Sequence, residues 1–159
     1  MKQNKYTLGL DFGTESVRCL AVDVNSGEEK GVAVSNYLHG VITENFPGTN
    51  VMLGRAWALQ NPSDWIISLE KVIHCLLQEY KIAAEEIIGL GICFTSCTVM
   101  PTTEDGTPLC FLADWKNEPH AWPKLWKHHA AQPEADLIND LARKEERTLV
   151  KTLWRTNFL

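Results

Sequence analysis

Eight consecutive residues, Ile87-Ile88-Gly89-Leu90-Gly91-Ile92-Cys93-Phe94, carry no charge and no proline. A strand with one wet face alternates apolar and polar side chains. This run does not alternate, which predicts a central strand covered on both faces. Such a strand needs neighbours, and the preceding residues offer one. Trp65, Ile66, Leu69, Val72, Ile73, Leu76, Leu77 and Tyr80 recur at spacings of three and four, the period of one helical face. Asn61 or Ser63 can cap that helix, and Pro62 is tolerated in its first turn. Burying the face, at about 1.5 kcal/mol or more for each large side chain, pins the helix to a sheet.

The first third of the chain supplies the other strands. Tyr6 to Phe12 and Val17 to Val24 are apolar runs separated by Gly13-Thr14-Glu15-Ser16, the pattern of a hairpin. Asn25-Ser26-Gly27 gives the next turn, and Lys30 to Leu38 alternates as a third antiparallel strand. His39 to Leu59, with Pro47, Gly48 and Gly54, reads as a long loop of the kind that often carries function. Downstream, Val99-Met100-Pro101 and Pro108 to Leu112 flank Glu104-Asp105-Gly106 as a second hairpin. Helices are expected at Trp122 to Ala131 and Glu134 to Lys144. Three antiparallel strands, a crossover helix and a buried strand make an α/β fold of ribonuclease H-like order, the order of the actin-like ATPase superfold.

Composition narrows the function. At 159 residues and 45% hydrophobic, the chain can build one core, as a single domain or part of one. A net charge of -5 offers no basic footprint and argues against a nucleic-acid partner. No apolar run approaches the roughly 20 residues that span a bilayer, and Met1 to Lys5 lead into a strand rather than a signal-peptide core. The expectation is a cytoplasmic protein with no membrane partner. Five cysteines without CxxC spacing are expected to be reduced, mostly buried thiols. Most of the six tryptophans are expected in the core or at interfaces, and His74 as a structural residue.

The residues richest in chemistry are Asp11-Phe12-Gly13-Thr14-Glu15-Ser16-Val17-Arg18, across the first hairpin turn. A strand-end carboxylate such as Asp11 can hold magnesium through water, since that ion prefers carboxylates and keeps much of its hydration shell. Gly13 lets the turn backbone approach a phosphate. Thr14 and Ser16 add donors, and Arg18 can pair with a phosphate oxygen. The plainer reading is an ordinary turn with a solvated arginine. Neither G-x-x-x-x-G-K-[ST] nor G-x-G-x-x-G after a strand occurs, so the commoner phosphate loops are excluded.

The string Gly9-Leu10-Asp11-Phe12-Gly13-Thr14-Glu15-Ser16-Val17-Arg18 resembles the FGGY carbohydrate kinases. Three further blocks resemble the bacterial L-ribulokinase branch in particular: Leu38 to Ile42, Phe94 to Pro101, and Pro119 to Trp122 running into Lys124 to Gln132. The resemblance covers Tyr6 to about Lys144. It implies an incomplete amino-terminal sugar-kinase domain over residues 1–145, acting in ATP-dependent phosphorylation of L-ribulose to L-ribulose 5-phosphate in L-arabinose catabolism. It implies ATP and Mg2+ as cofactors, with Asp11 facing the metal and Gly13, Thr14, Glu15, Ser16 and Arg18 lining the phosphates. Thr95, Ser96, Cys97 and Thr98 are implied as a wall of the pentulose pocket. Trp126, Lys127 and His128 are further candidates for sugar contact, although many family members read W-x-D-x-R where this chain reads Trp126-Lys127-His128-His129-Ala130. A surface helix with solvated Lys127 and His128 is the competing reading there. The catalytic aspartate is expected beyond the chain's end, so no general base is nominated and this chain alone is expected to be inactive. The full-length family member is expected to be a homodimer. Two alternatives stay open: another FGGY pentulose or polyol kinase, and a non-catalytic nucleotide- or sugar-binding module. The resemblance stops near Glu145. Reading residues from Arg147 one base later can yield a string like the ribulokinase continuation, so residues 146–159 are expected to be an atypical tail, with two readings open: a frameshift, or a real terminal helix with Leu149, Val150, Leu153 and Trp154 at helical spacing.

Overall fold

The computed structural model describes residues 4–144. Its elements in chain order are β1 (Tyr6–Phe12), β2 (Ser16–Asp23), β3 (Glu29–Asn36), α1 (Pro62–Glu79), β4 (Ile87–Phe94) and α2 (Gln132–Lys144). Single 3-10 turns occur at Ala84–Glu86, Leu109–Phe111 and Pro119–Ala121. The sheet runs β3-β2-β1-β4, with β1, β2 and β3 antiparallel in sequence and β4 parallel to β1. The tail reading for residues 146–159 lies outside the described residues.

Local chemistry accounts for the element ends. The carboxylate of Asp23 accepts from the amides of Asn25 and Ser26, and Gly27 at φ +76° completes the turn into β3. Asn61 caps α1 by accepting from the amide of Ser63, with Pro62 just inside the helix. The alternating side chains of β1 and β2, among them Leu8, Leu10, Val17, Cys19 and Ala21, pack with Val72 and Leu76 of α1 as the main core. Gly31 lets the end of α1 close onto β3: a Cβ there would overlap the ring of Tyr80, the residue that caps the helix. Near the start of α1, buried Asp64 accepts from the backbone amide of His39 (2.9 Å) and from its ring Nδ1–H (2.8 Å). That contact fastens the end of the β3 connection to the helix.

Several expectations need correction. β4 has the expected bounds but is the outermost strand of the described sheet, and Ile88, Leu90, Ile92 and Phe94 are 55%, 51%, 59% and 72% exposed. Register places Leu90, Ile92 and Phe94 beside Leu8, Leu10 and Phe12, on the face that α1 occupies. α1 lies over β2 and β3 instead, so it does not reach them. Ile66, expected in the helical core face, is exposed for the same reason. Trp122 to Ala131 is not a helix. Trp122 precedes Pro123, which disfavours helical backbone, and Lys124 pairs in extended form with Leu59 and Val99. The second hairpin reduces to one bridge, Thr102 to Pro108, because Pro101 and Pro108 have no amide to donate. Residues 39–59 are tied by bridges at Ile42–Leu59 and Asn45–Met52, and contribute Phe46 and Leu59 to a second small core with Cys110, Ala121 and Trp122. Only Cys19 and Cys110 of the five free thiols are buried.

Two measurements follow from this packing. Leu76→Ala, in the core, should cost about 2–5 kcal/mol of unfolding free energy, whereas Ile92→Ala, on the same sheet side, should stay within about 1 kcal/mol of wild type. Equal costs in denaturant melts would show that β4 is covered in solution. Tyr37 is 6% exposed, and its hydroxyl meets no hydrogen-bond partner among the described residues. Burial, with added repulsion from Asp11 and Asp64, pushes its pKa up to about 12. A folded value above the unfolded value of about 10 stabilises fully below pH 10 and loses that contribution as pH rises to 12. Tyr37→Phe should therefore remove about 2–3 kcal/mol of alkaline destabilisation across that window, measured as unfolding free energy against pH.

Candidate functional site

Parallel pairing of β1 and β4 brings Phe12 and Phe94 to the same end of the sheet. The chain leaves β4 by folding Thr95 onto β1: both its amide and its hydroxyl donate to the Phe12 carbonyl, at 2.9 Å each. The turn after β1 and the segment after β4 consequently share one edge, the carboxyl edge where open α/β sheets bind ligands.

The turn itself is tight. The amide of Gly13 donates to the Ser16 carbonyl at 2.9 Å, and a Cβ on Gly13 would stand 3.3 Å from that oxygen. Three distant residues brace it. The Gln60 side-chain amide donates to the Thr14 carbonyl (2.7 Å), the Trp126 indole N–H donates to the Thr14 hydroxyl (3.2 Å), and the Tyr37 amide donates to the Glu15 carbonyl (2.9 Å). Ser16 is buried at the start of β2, while Glu15 is exposed. Asp11 and Arg18 are register partners on neighbouring strands and meet as an exposed ion pair, Nη1 to Oδ2 at 3.4 Å.

Across the edge, Thr95 to Thr98 is held by reciprocal bonds between Val99 and Lys124. Cys97 takes φ 59°, a left-handed backbone that L residues rarely adopt and that functional segments often contain. Ser96 and Cys97 are exposed, whereas the Thr98 hydroxyl is buried with no partner among the described residues. A cavity of about 310 Å³ opens between the two segments, lined by Gly13, Tyr37, Gln60, Trp65, Phe94, Thr95 and Thr98 among others.

The structure therefore brings Thr14 and Trp126 into contact and sets Asp11, Gly13 and Thr95 on one edge. Lys127 instead lies over the Trp126 ring, its Nζ 5.4 Å from the centroid. His128 uses Nδ1 to accept from the Ala58 amide (3.2 Å) and packs edge-on against Trp57. Burial lowers its pKa, helped by Lys124, His120 and His129, so its neutral form is favoured. Gln60 and Tyr37 were not legible as site residues, since neither belongs to a motif. Among the described residues no group of three or more His, Cys, Asp or Glu side chains could enclose a metal. Asp11 alone, half-exposed beside a turn that a phosphate can approach, fits magnesium, which is commonly held by one or two carboxylates together with ligand phosphates.

No protein-family model matches the chain. Among curated proteins it is 47% identical over 140 residues to a ribulokinase of Halalkalibacterium halodurans, covering 88% of this chain and 25% of that protein. It is 49% identical over 139 residues to a ribulokinase of Mycolicibacterium smegmatis, covering 87% and 25%. Among solved structures it resembles a xylulose kinase from Brucella ovis (TM-score 0.63, 23% identity, 85% of this chain and 24% of that one). A ligand-bound xylulose kinase from Lactobacillus acidophilus superposes with TM-score 0.64 at 15% identity, over 89% of this chain and 24% of that one. The chain thus spans about a quarter of the length of the relatives it matches. Over that quarter the chain is similar in sequence to ribulokinases, and its fold is that of the solved sugar kinases, the actin-like ATPase fold.

Proposed function

We propose that this chain furnishes the phosphate-facing and part of the sugar-facing side of an ATP-dependent ribulokinase, which phosphorylates L-ribulose to L-ribulose 5-phosphate. The observation that carries the reading is the braced turn: Gln60 and Trp126 fix Thr14 at the same sheet edge as Thr95, so the turn at Gly13 and the segment that begins at Thr95 border one cavity. In this reading Gly13, Thr14, Glu15 and Ser16 present the phosphate side, with Asp11 directed to magnesium through water. Bound magnesium would offset the negative charge of the phosphates. Thr95 to Thr98 and the exposed indole of Trp126 bound the pentulose, and Lys127 and His128 stay as outer candidates. The proton acceptor is assigned to polypeptide outside the matched quarter, as the family resemblance implies. No described helix is long and apolar enough to cross a membrane.

A chimera tests the reading. Residues 1–144 of this chain are joined to the part of the Halalkalibacterium halodurans ribulokinase that follows its matched segment. The chimera should release ADP in response to L-ribulose, whereas the isolated chain should not. Asp11→Asn in the chimera should lower kcat by about 100-fold or more and leave the sugar KM within about threefold, because the carboxylate serves charge that develops at the transferring phosphoryl group. A soluble, folded chimera without pentulose-dependent turnover, or an Asp11→Asn variant of unchanged kcat, would remove the basis for it.

A further inference from the structure

Arg18 and Asp11 occupy matched positions on antiparallel β1 and β2. Their neighbours Leu10, Val17 and Cys19 are buried in the core beneath α1, so Asp11 and Arg18 project from the opposite face. The guanidinium meets the carboxylate at 3.4 Å, and it also stands over the turn, with Nη1 3.9 Å from where a Cβ of Gly13 would be. It thus covers the two places that the proposed function gives to ligands, the carboxylate that faces a cation and the glycine that admits a phosphate. Of the five N–H donors of the guanidinium, only the one directed to Asp11 has a hydrogen-bond partner among the described residues.

The strength of this contact decides what it can be. A buried, bidentate arginine–carboxylate pair would be a fixed structural element. This pair is single-contact, and its side chains are 56% and 53% exposed. Pairs of that kind change an equilibrium by about two- to fivefold and are screened by salt. A divalent cation and a phosphate arriving together can displace it, and the released guanidinium has donors ready for the phosphate.

We propose that Arg18 is a resident counter-ion of Asp11, standing where cation and phosphate will come, and that ligand binding transfers its guanidinium from the carboxylate to a phosphate oxygen. This rests on the assignment of Asp11 to the metal made above. Arg18 is a ligand-contacting residue in this scheme: it pairs with the carboxylate first, then switches partner to the phosphate.

The scheme makes two binding constants move in opposite directions when the charge is removed. In the 159-residue chain at low salt, Arg18→Met should bind Mn2+ about two- to fivefold more tightly than wild type, read by electron paramagnetic resonance, because a competitor for Asp11 is gone. The same variant should bind Mg·ADP about tenfold or more weakly, read by calorimetry, because a charge-assisted phosphate contact is lost. Arg18→Lys, which keeps the charge without the planar fork, should bind Mn2+ like wild type and still lose ADP affinity. It also serves if the methionine variant fails to fold. Both constants shifting in the same direction, or Mn2+ affinity unaltered in Arg18→Met, overturns the exchange while leaving Asp11 as the metal residue. Mn2+ binding that survives Asp11→Asn overturns the metal assignment itself, and the exchange with it.

Discussion

The parallel pairing of β1 with β4 is the constraint on which the rest of this molecule depends. Antiparallel β1, β2 and β3 are joined by short turns and would lie side by side whatever followed. Only the return of the chain through α1 to run beside β1 in the same direction puts the residues after Phe94 next to those after Phe12. The junction is not left to the ladder alone. Thr95 repeats it twice, through amide and hydroxyl, on one carbonyl of Phe12. Residues 83 apart in sequence are thereby tied together at one edge of the sheet.

The packing of α1 serves the same end. Its N-terminal half buries polar groups, with Asp64 receiving two hydrogen bonds from His39 and Ser68 facing the carbonyl of Asn36. Burying a carboxylate is costly unless it is bonded, and the first turn of a helix is where a negative charge is best tolerated. These contacts hold the exit from β3, which carries Tyr37, while the residue just before the cap carries Gln60. Both reach the turn between β1 and β2. The helix cap and the turn between β1 and β2 are therefore mechanically one unit.

Much of this was legible in the sequence where the signal is local. The bounds of β1 and β4, the cap at Asn61 and the turn at Gly27 follow from residue types acting on their immediate neighbours. Asp11 and Thr14 were legible as chemistry because carboxylate, glycine and hydroxyl sit together. What holds them was not legible: Gln60 meets Thr14 across 46 residues and Trp126 meets it across 112, and no spacing rule spans such intervals. The segment from Trp122 misled for a different reason. Its apolar spacing resembles a helix, but Pro123 and the single bridges of Lys124 to Leu59 and Val99 impose extended backbone. At His128, a ring nitrogen committed to the Ala58 amide could not be foreseen from its place in a motif.

β4 shows how a sequence pattern can be right about selection and wrong about surroundings. An outermost strand is ordinarily protected by charge, proline or a bulge, and Ile87 to Phe94 has no charge and no proline along its length. Its apolar residues read as buried because strands of that composition are stable and soluble only between neighbours, and the matched relatives carry about three times as much polypeptide again. The braced turn differs in this respect. Each of its three supports, Tyr37, Gln60 and Trp126, lies within residues 4–144, and two of them act on backbone carbonyls of the turn. The edge at the β1–β2 turn therefore has its geometry set from within the described residues, whereas the apolar side chains of β4 stay largely exposed among them.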